Sequence, residues 1–170
     1  MSEDAANSGL EWYFAYGSNL APDTFCRRRR MQPQNAVCAC LENFSLVFDL
    51  PVGPSNRGVA NVVMQQGEEV WGVAYQISRA EGKRLDRSEG VHRGYYRRIG
   101  ISVQVRGENP LQGFTYTSGR GRPNRLPSAR YLGLLVTGAR HHSLPEAWLA
   151  RLQAWPLATD ERSSRQGDLF

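Results

Sequence analysis

The chain has 170 residues, 41% of them hydrophobic, which is enough for one sizeable core and too few for two full-sized domains. Its 21 Lys+Arg outnumber its 16 Asp+Glu, giving a net charge of +5 and the expectation of a surface that attracts anions. No run approaches the roughly 20 apolar residues of a membrane-spanning helix, and Met1-Ser2-Glu3-Asp4 is acidic where a secretory signal is basic, so a cytoplasmic protein without membrane association is expected.

In chain order, residues 1–10 read as a flexible leader, 11–157 as a single domain and 158–170 as a tail, because neither end carries apolar periodicity. Trp12-Tyr13-Phe14-Ala15-Tyr16 has the aromatic content of a strand, and Gly17-Ser18-Asn19 stops it with residues that accept turn geometry. A short helix over about 22–30 follows, with Pro22 acceptable in its first turn. Strands are expected at 36–48, 59–65, 70–77, 98–105 and 112–117, each rich in Val, Ile or aromatic residues between Gly, Pro or polar loops. Ser78-Arg79-Ala80-Glu81 has the Ser-x-x-Glu pattern of a capping box, which starts a helix running toward Glu89, with Gly90 suited to end it. A second helix is expected over 128–138, and Leu144-Pro145-Glu146 opens a third with Trp148, Leu149 and Leu152 on one side. The sum is an α+β fold: a small mixed, mainly antiparallel β-barrel with flanking helices.

Cys26, Cys38 and Cys40 are odd in number and are expected to be reduced and buried. No metal site is expected, since no His or further Cys stands at ligand spacing and His141-His142 are adjacent residues that diverge on a helix. Arg27-Arg28-Arg29-Arg30 and the cluster Arg120, Arg122 and Arg125 lack an accompanying recognition helix, zinc site or stacking platform. They read as solvated arginines, and nucleic acid is not an expected partner.

Two segments bear on chemistry. Phe14-Ala15-Tyr16-Gly17-Ser18-Asn19-Leu20 is a strand ending in a turn; it either exposes successive backbone N–H groups as an anion-binding nest or is an ordinary strand-to-helix connection. Leu85-Asp86-Arg87-Ser88-Glu89-Gly90-Val91, followed by Gly94-Tyr95-Tyr96, puts a carboxylate at the negative end of a helix dipole, where desolvation would raise its pKa toward neutrality. A glutamate on a helix is also the commonest kind of solvated charge, and the residues alone do not single out Glu89 from the ten glutamates of the chain.

These segments, together with Glu69-Val70-Trp71-Gly72-Val73, Pro127-Ser128-Ala129-Arg130-Tyr131, Gly138-Ala139 and Leu144-Pro145, occur in an order that resembles the gamma-glutamylcyclotransferase family across nearly the whole folded chain. The resemblance implies a small β-barrel with flanking helices, no cofactor and a small-molecule gamma-glutamyl substrate. It implies release of an amino acid or amine as the gamma-glutamyl group closes to 5-oxoproline, with Glu89 as general acid/base. Tyr16, Gly17, Ser18, Asn19 and Leu20 would form the substrate-binding loop, and Tyr96 and Tyr131 would line the pocket, although both tyrosines suit core packing equally well. A monomer or homodimer is expected. Residues 49–61 resemble the family only at Gly58-Val59-Ala60, and Asn19 stands where the glutathione-degrading relatives carry leucine, which points away from glutathione. Two alternatives stay open: removal of a gamma-glutamyl group from an amine in natural-product biosynthesis, and a non-catalytic binding protein with a basic surface.

Overall fold

A hairpin far longer than the usual five- or six-residue strand organises the sheet. In the computed structural model, which describes residues 9–159, β2 (Asn35–Pro51) and β3 (Gly58–Ser78) pair antiparallel along nearly their whole lengths. β1 (Leu10–Ala15) lies antiparallel to the last part of β3, with Leu10 opposite Ser78 and Ala15 opposite Val73. β4 (Arg97–Val103) and β5 (Leu111–Thr117) form a second antiparallel pair, and β5 meets β1 in parallel where Tyr13 faces Phe114. The strand order is β2-β3-β1-β5-β4, and α1 (Arg79–Ser88), α2 (Ala129–His141) and α3 (Glu146–Gln153) flank it, so the α+β arrangement is the expected one.

β1 is central and short. Its consecutive Tyr13, Phe14 and Ala15 are all buried, so both of its faces are covered and its sequence shows no polar alternation. Leu41, Leu46, Val62, Val70 and Leu85 are among the side chains removed almost completely from water in the same core.

Several expectations are corrected. The strands expected at 59–65 and 70–77 are one: the polar residues between them stay exposed but remain paired, with Glu69 opposite Glu42 and the Gly67 amide donating to Asn43 Oδ1 at 3.1 Å. A register shift between Glu42 and Phe44 bends the hairpin there, and a bulge does this without ending a strand. The sheet is also not closed into a barrel. β2 and β4 remain its edges and touch at one bridge, where Cys40 and Gln104 exchange bonds of 2.9 and 2.8 Å, and β4 ends at Val103, so no ladder follows. Of the three free cysteines only Cys40 is buried; Cys38 is half-buried and Cys26 exposed.

The helix expected over 22–30 is instead a π turn, Asp23–Arg28, whose wider i→i−5 bonding ends with Arg29 N–H on the Thr24 carbonyl. It stops at Arg30, which has φ +53°. α1 starts as its sequence predicts: Ser78 Oγ accepts from the Glu81 amide at 3.1 Å, and Glu81 Oε2 accepts from the Ser78 amide at 3.0 Å. The other oxygen of Glu81 accepts from the Gln32 amide at 2.6 Å, and Arg84 donates to the Arg30 carbonyl at 2.9 Å, so α1 also holds the chain that leaves the π turn. Glu89 caps the helix, and Gly90 follows at φ +69°, the left-handed position glycine occupies without strain. α2, capped by Ser128, runs three residues past its expected end to His141.

Most of the leader and tail, residues 1–8 and 160–170, lies outside the described residues; Leu10 belongs to β1. Among the described residues no helix is long and apolar enough to cross a membrane.

Because α1 ends on Glu89, its cap has a cost that can be measured apart from any activity. Ser78→Ala should destabilise the protein by about 0.5–2 kcal/mol in urea denaturation. A change within error would mean that packing of Leu85, not the cap, fixes the start of α1.

Candidate active site

Where β1 ends, the chain turns away from the sheet through a 3-10 turn, Ser18–Leu20, and beside that turn lies a cavity of about 230 Å³. Glu89 enters it from the C-terminal end of α1 and Arg29 from the end of the π turn. Tyr96 and Tyr131 both bond one residue of β3: Tyr96 Oη donates to the Ala60 carbonyl at 2.9 Å, and Tyr131 Oη accepts from the Ala60 amide at 3.0 Å. The Ser18 amide also faces the Tyr131 hydroxyl and favours its anion.

The Glu89 side chain is only 13% exposed. Its Oε1 stands 3.3 Å from Arg29 Nη2 and 3.4 Å from Asn19 Nδ2. Burial raises the Glu89 pKa, while the Arg29 charge and the Asn19 hydrogen bond pull it back, and burial prevails. The carboxyl is therefore easier to protonate than an ordinary glutamate, yet it keeps two groups that steady its anion. Burial also raises the hydroxyl pKa values of Tyr96 and Tyr131, the latter to about 12, so both phenols stay protonated at neutral pH.

Asn19 is held on three sides. Its Nδ2 donates to Tyr13 Oη at 2.9 Å as well as to Glu89, and its carbonyl accepts from Tyr75 Oη, also at 2.9 Å. Tyr75 in turn stacks on Phe25 of the π turn at 4.1 Å, so one aromatic stack fixes both Asn19 and the segment that carries Arg29. Asn19 Oδ1 and Arg29 Nε are buried without a hydrogen-bond partner among the described residues. Such groups cost stability, and a polar ligand can relieve that cost.

The AIG2-like family model matches residues 69–152. Gamma-glutamylcyclotransferase of Mus musculus is 32% identical over 151 residues, spanning 84% of this chain and 77% of the mouse protein, and that of Homo sapiens is 30% identical with the same coverage. A solved structure described as a gamma-glutamyl cyclotransferase superposes with a TM-score of 0.78 at 26% identity, covering 89% of this chain and 91% of its own. The chain belongs to the gamma-glutamylcyclotransferase family.

Within this family member, the structure brings Glu89, Tyr16, Gly17, Ser18, Asn19, Tyr96 and Tyr131 to one cavity. Leu20 is apart: its side chain is fully buried in the core, and its amide is spent on the Gly17 carbonyl at 3.0 Å. With the Ser18 amide facing Tyr131, the loop is a narrower nest than its sequence suggests. Gly17 has φ −110°, so no left-handed backbone requires it. Its need is space, because a Cβ there would come within 3.1 Å of Tyr131 Oη. Tyr16 lines the cavity, but its hydroxyl is committed to the Tyr116 carbonyl at 2.7 Å.

Sequence reasoning missed Arg29, Tyr13 and Tyr116. Arg29 was hidden in a run of four arginines read as solvated; it is half-buried while Arg27, Arg28 and Arg30 are exposed. Asp86 is engaged too. It accepts from Tyr116 Oη at 2.5 Å and lies 3.5 Å from Arg98 Nε, while Arg98 Nη2 reaches Glu11 at 2.7 Å.

The raised pKa of Glu89 has a consequence for stability. A carboxyl that titrates higher when folded gives the protein its full stability below the unfolded value and loses stability as pH rises through the folded one. Glu89→Gln, which cannot ionise, should therefore gain melting temperature relative to wild type at about pH 7 and lose that advantage near about pH 4. A variant less stable than wild type at neutral pH would show that the Arg29 pair outweighs burial.

Proposed function

We propose that the protein closes the gamma-glutamyl group of a small substrate into 5-oxoproline and releases the amino acid or amine attached to it. One observation carries the reading: in a family of this name, a carboxyl group with a raised pKa stands in a tyrosine-lined cavity beside a positive charge and an unsatisfied buried acceptor.

The reaction needs no enzyme nucleophile. The substrate's own α-nitrogen attacks its γ-carbonyl carbon, the new C–N bond closes a five-membered ring, and the bond to the departing nitrogen breaks. The α-ammonium sheds two protons and the departing nitrogen gains two, so a carboxyl that takes and returns protons completes the cycle unchanged. Glu89 has that role. Arg29 and Asn19 hold its carboxylate at one oxygen, and the amides and tyrosines of the cavity fold the chain of the substrate so that its two ends meet. Positioning of this kind can supply about 7–11 kcal/mol in favourable intramolecular reactions, so most of the task is geometric. Asn19 Oδ1 offers an acceptor to the α-ammonium group. Ser18 takes part through its hydroxyl, without an acyl-enzyme.

The test is 5-oxoproline formation from a panel of gamma-glutamyl amino acids and amines. Single-turnover rates for Glu89→Gln should fall by roughly 10²–10⁴-fold, as expected for loss of general acid/base catalysis. Asp86→Asn, which can still accept from Tyr116, should cost far less. The low-pH limb of kcat should have its midpoint above the ordinary glutamate range, because the base must be ionised and its pKa is raised. Near wild-type turnover by a folded Glu89→Gln variant would move the acid/base role elsewhere.

A further inference from the structure

The cavity that holds the loop is too small for a whole conjugate. At about 230 Å³ it falls below the roughly 300–1,000 Å³ of sites for drug-sized ligands, and it suits the glutamyl head. A second chamber of about 690 Å³ adjoins it and shares three of its wall residues, Val59, Glu89 and Tyr96. The departing nitrogen must lie within reach of Glu89, so whatever hangs from that nitrogen extends into this outer chamber.

The outer chamber is chemically one-sided. Arg87 comes from the last turn of α1, Arg93 from the turn that follows, and Arg120 and Arg122 from the segment after β5. The rest of the lining includes the apolar Pro51, Val52 and Val59. Glu89, at the throat, is the only carboxylate in the lining. Asp49, on β2, accepts from the Asn61 amide with one oxygen at 3.1 Å, while its other oxygen lies against Gly121, between Arg120 and Arg122 in the chain. Among the described residues none of the four arginines has a carboxylate partner, whereas Arg29 and Arg151 have one each and Arg98 has two. Arg120 is also placed: its guanidinium lies 4.7 Å from the Tyr95 ring centroid and donates to the Arg93 carbonyl at 3.2 Å. Four like charges around one concavity concentrate its positive potential and attract a multiply charged anion.

We propose that this chamber selects gamma-glutamyl conjugates whose released amine carries two or more negative charges, as in an acidic amino acid or peptide. The inference rests on the cyclotransferase reading and adds the substrate class to it. Arg87, Arg93, Arg120 and Arg122 are specificity residues; they meet the tail of the substrate while Glu89 serves the reacting atoms.

The experiment compares kcat/KM for gamma-glutamyl-glutamate and gamma-glutamyl-glutamine, which differ in one charge and hardly in shape. Wild type should prefer the glutamate conjugate by about fivefold or more at about 50 mM salt, and the preference should shrink toward unity at about 0.5 M, where the screening length is only a few ångström. Arg120→Gln combined with Arg122→Gln should collapse the preference at low salt, and Arg120→Lys with Arg122→Lys should restore most of it, which separates charge from a disturbed fold. Equal kcat/KM for the two conjugates at low salt, with both turned over, overturns the chamber's role and leaves the cyclotransferase reading intact. If wild type forms 5-oxoproline from neither conjugate nor from gamma-glutamyl-alanine, both fall.

Discussion

A carboxylate at the C-terminal end of a helix is disfavoured by the helix dipole, and burial disfavours it again. Glu89 is in that position, and the two groups that steady its charge come from distant parts of the chain: Asn19 from the turn after β1 and Arg29 from the end of the π turn. Both depend on Tyr75. Asn19 is held by Tyr13 and Tyr75, and the π turn is held by the stack of Phe25 on Tyr75. Three segments thus converge because one carboxyl must be kept dry and yet able to ionise. The balance leaves the anion neither as stable as in a closed ion pair nor as unstable as in an apolar pocket, which suits the proton-transfer role proposed for Glu89.

The cavity wall follows the same economy. Ala60 on β3 offers its amide to one phenol and its carbonyl to another, so Tyr96 and Tyr131 are oriented by backbone rather than by flexible side chains. A site that binds its ligand by geometry needs walls that do not move, and Ala60 belongs to a paired strand of 21 residues. The outer chamber has the opposite character: its arginines are exposed. Rigid recognition of a constant head and looser, electrostatic recognition of a tail suit a reaction whose chemistry lies entirely in the head.

Much of this was legible in the sequence where the signal was local. The capping box at Ser78 and Glu81, the stop at Gly90 and the end of β1 just before Gly17 are each decided by a few neighbouring residues, and the structure places them within a residue or two of the reading. What failed to show depended on contacts far along the chain. The polar stretch near Gly67 looks like a turn because nothing within it reveals that Asn43 and Glu42 pair with it from the other strand. The closed barrel failed for a similar reason, since the length of β4 against β2 decides closure and neither strand carries that information alone. Arg29 was the largest omission. In a run of four arginines the inward one is set by the winding of the turn, and the widened π turn has no clear signature in residue type. Glu89 itself became prominent only through the family resemblance, because its burial is created by Asn19, Arg29 and the tyrosines together.

Glu81 closes two circuits with its two oxygens: one completes the cap of α1, and the other fixes Gln32 just beyond the arginine run. In evolutionary terms the position is doubly committed. A replacement at Glu81 would loosen the helix that ends in Glu89 and also the strand of chain next to Arg29, and a compensating change near Ser78 could mend only the first. Lineages of this fold could therefore exchange Glu81 only alongside changes in two separate segments, a path of several steps whose intermediates would pass through a poorly aligned acid and its cation.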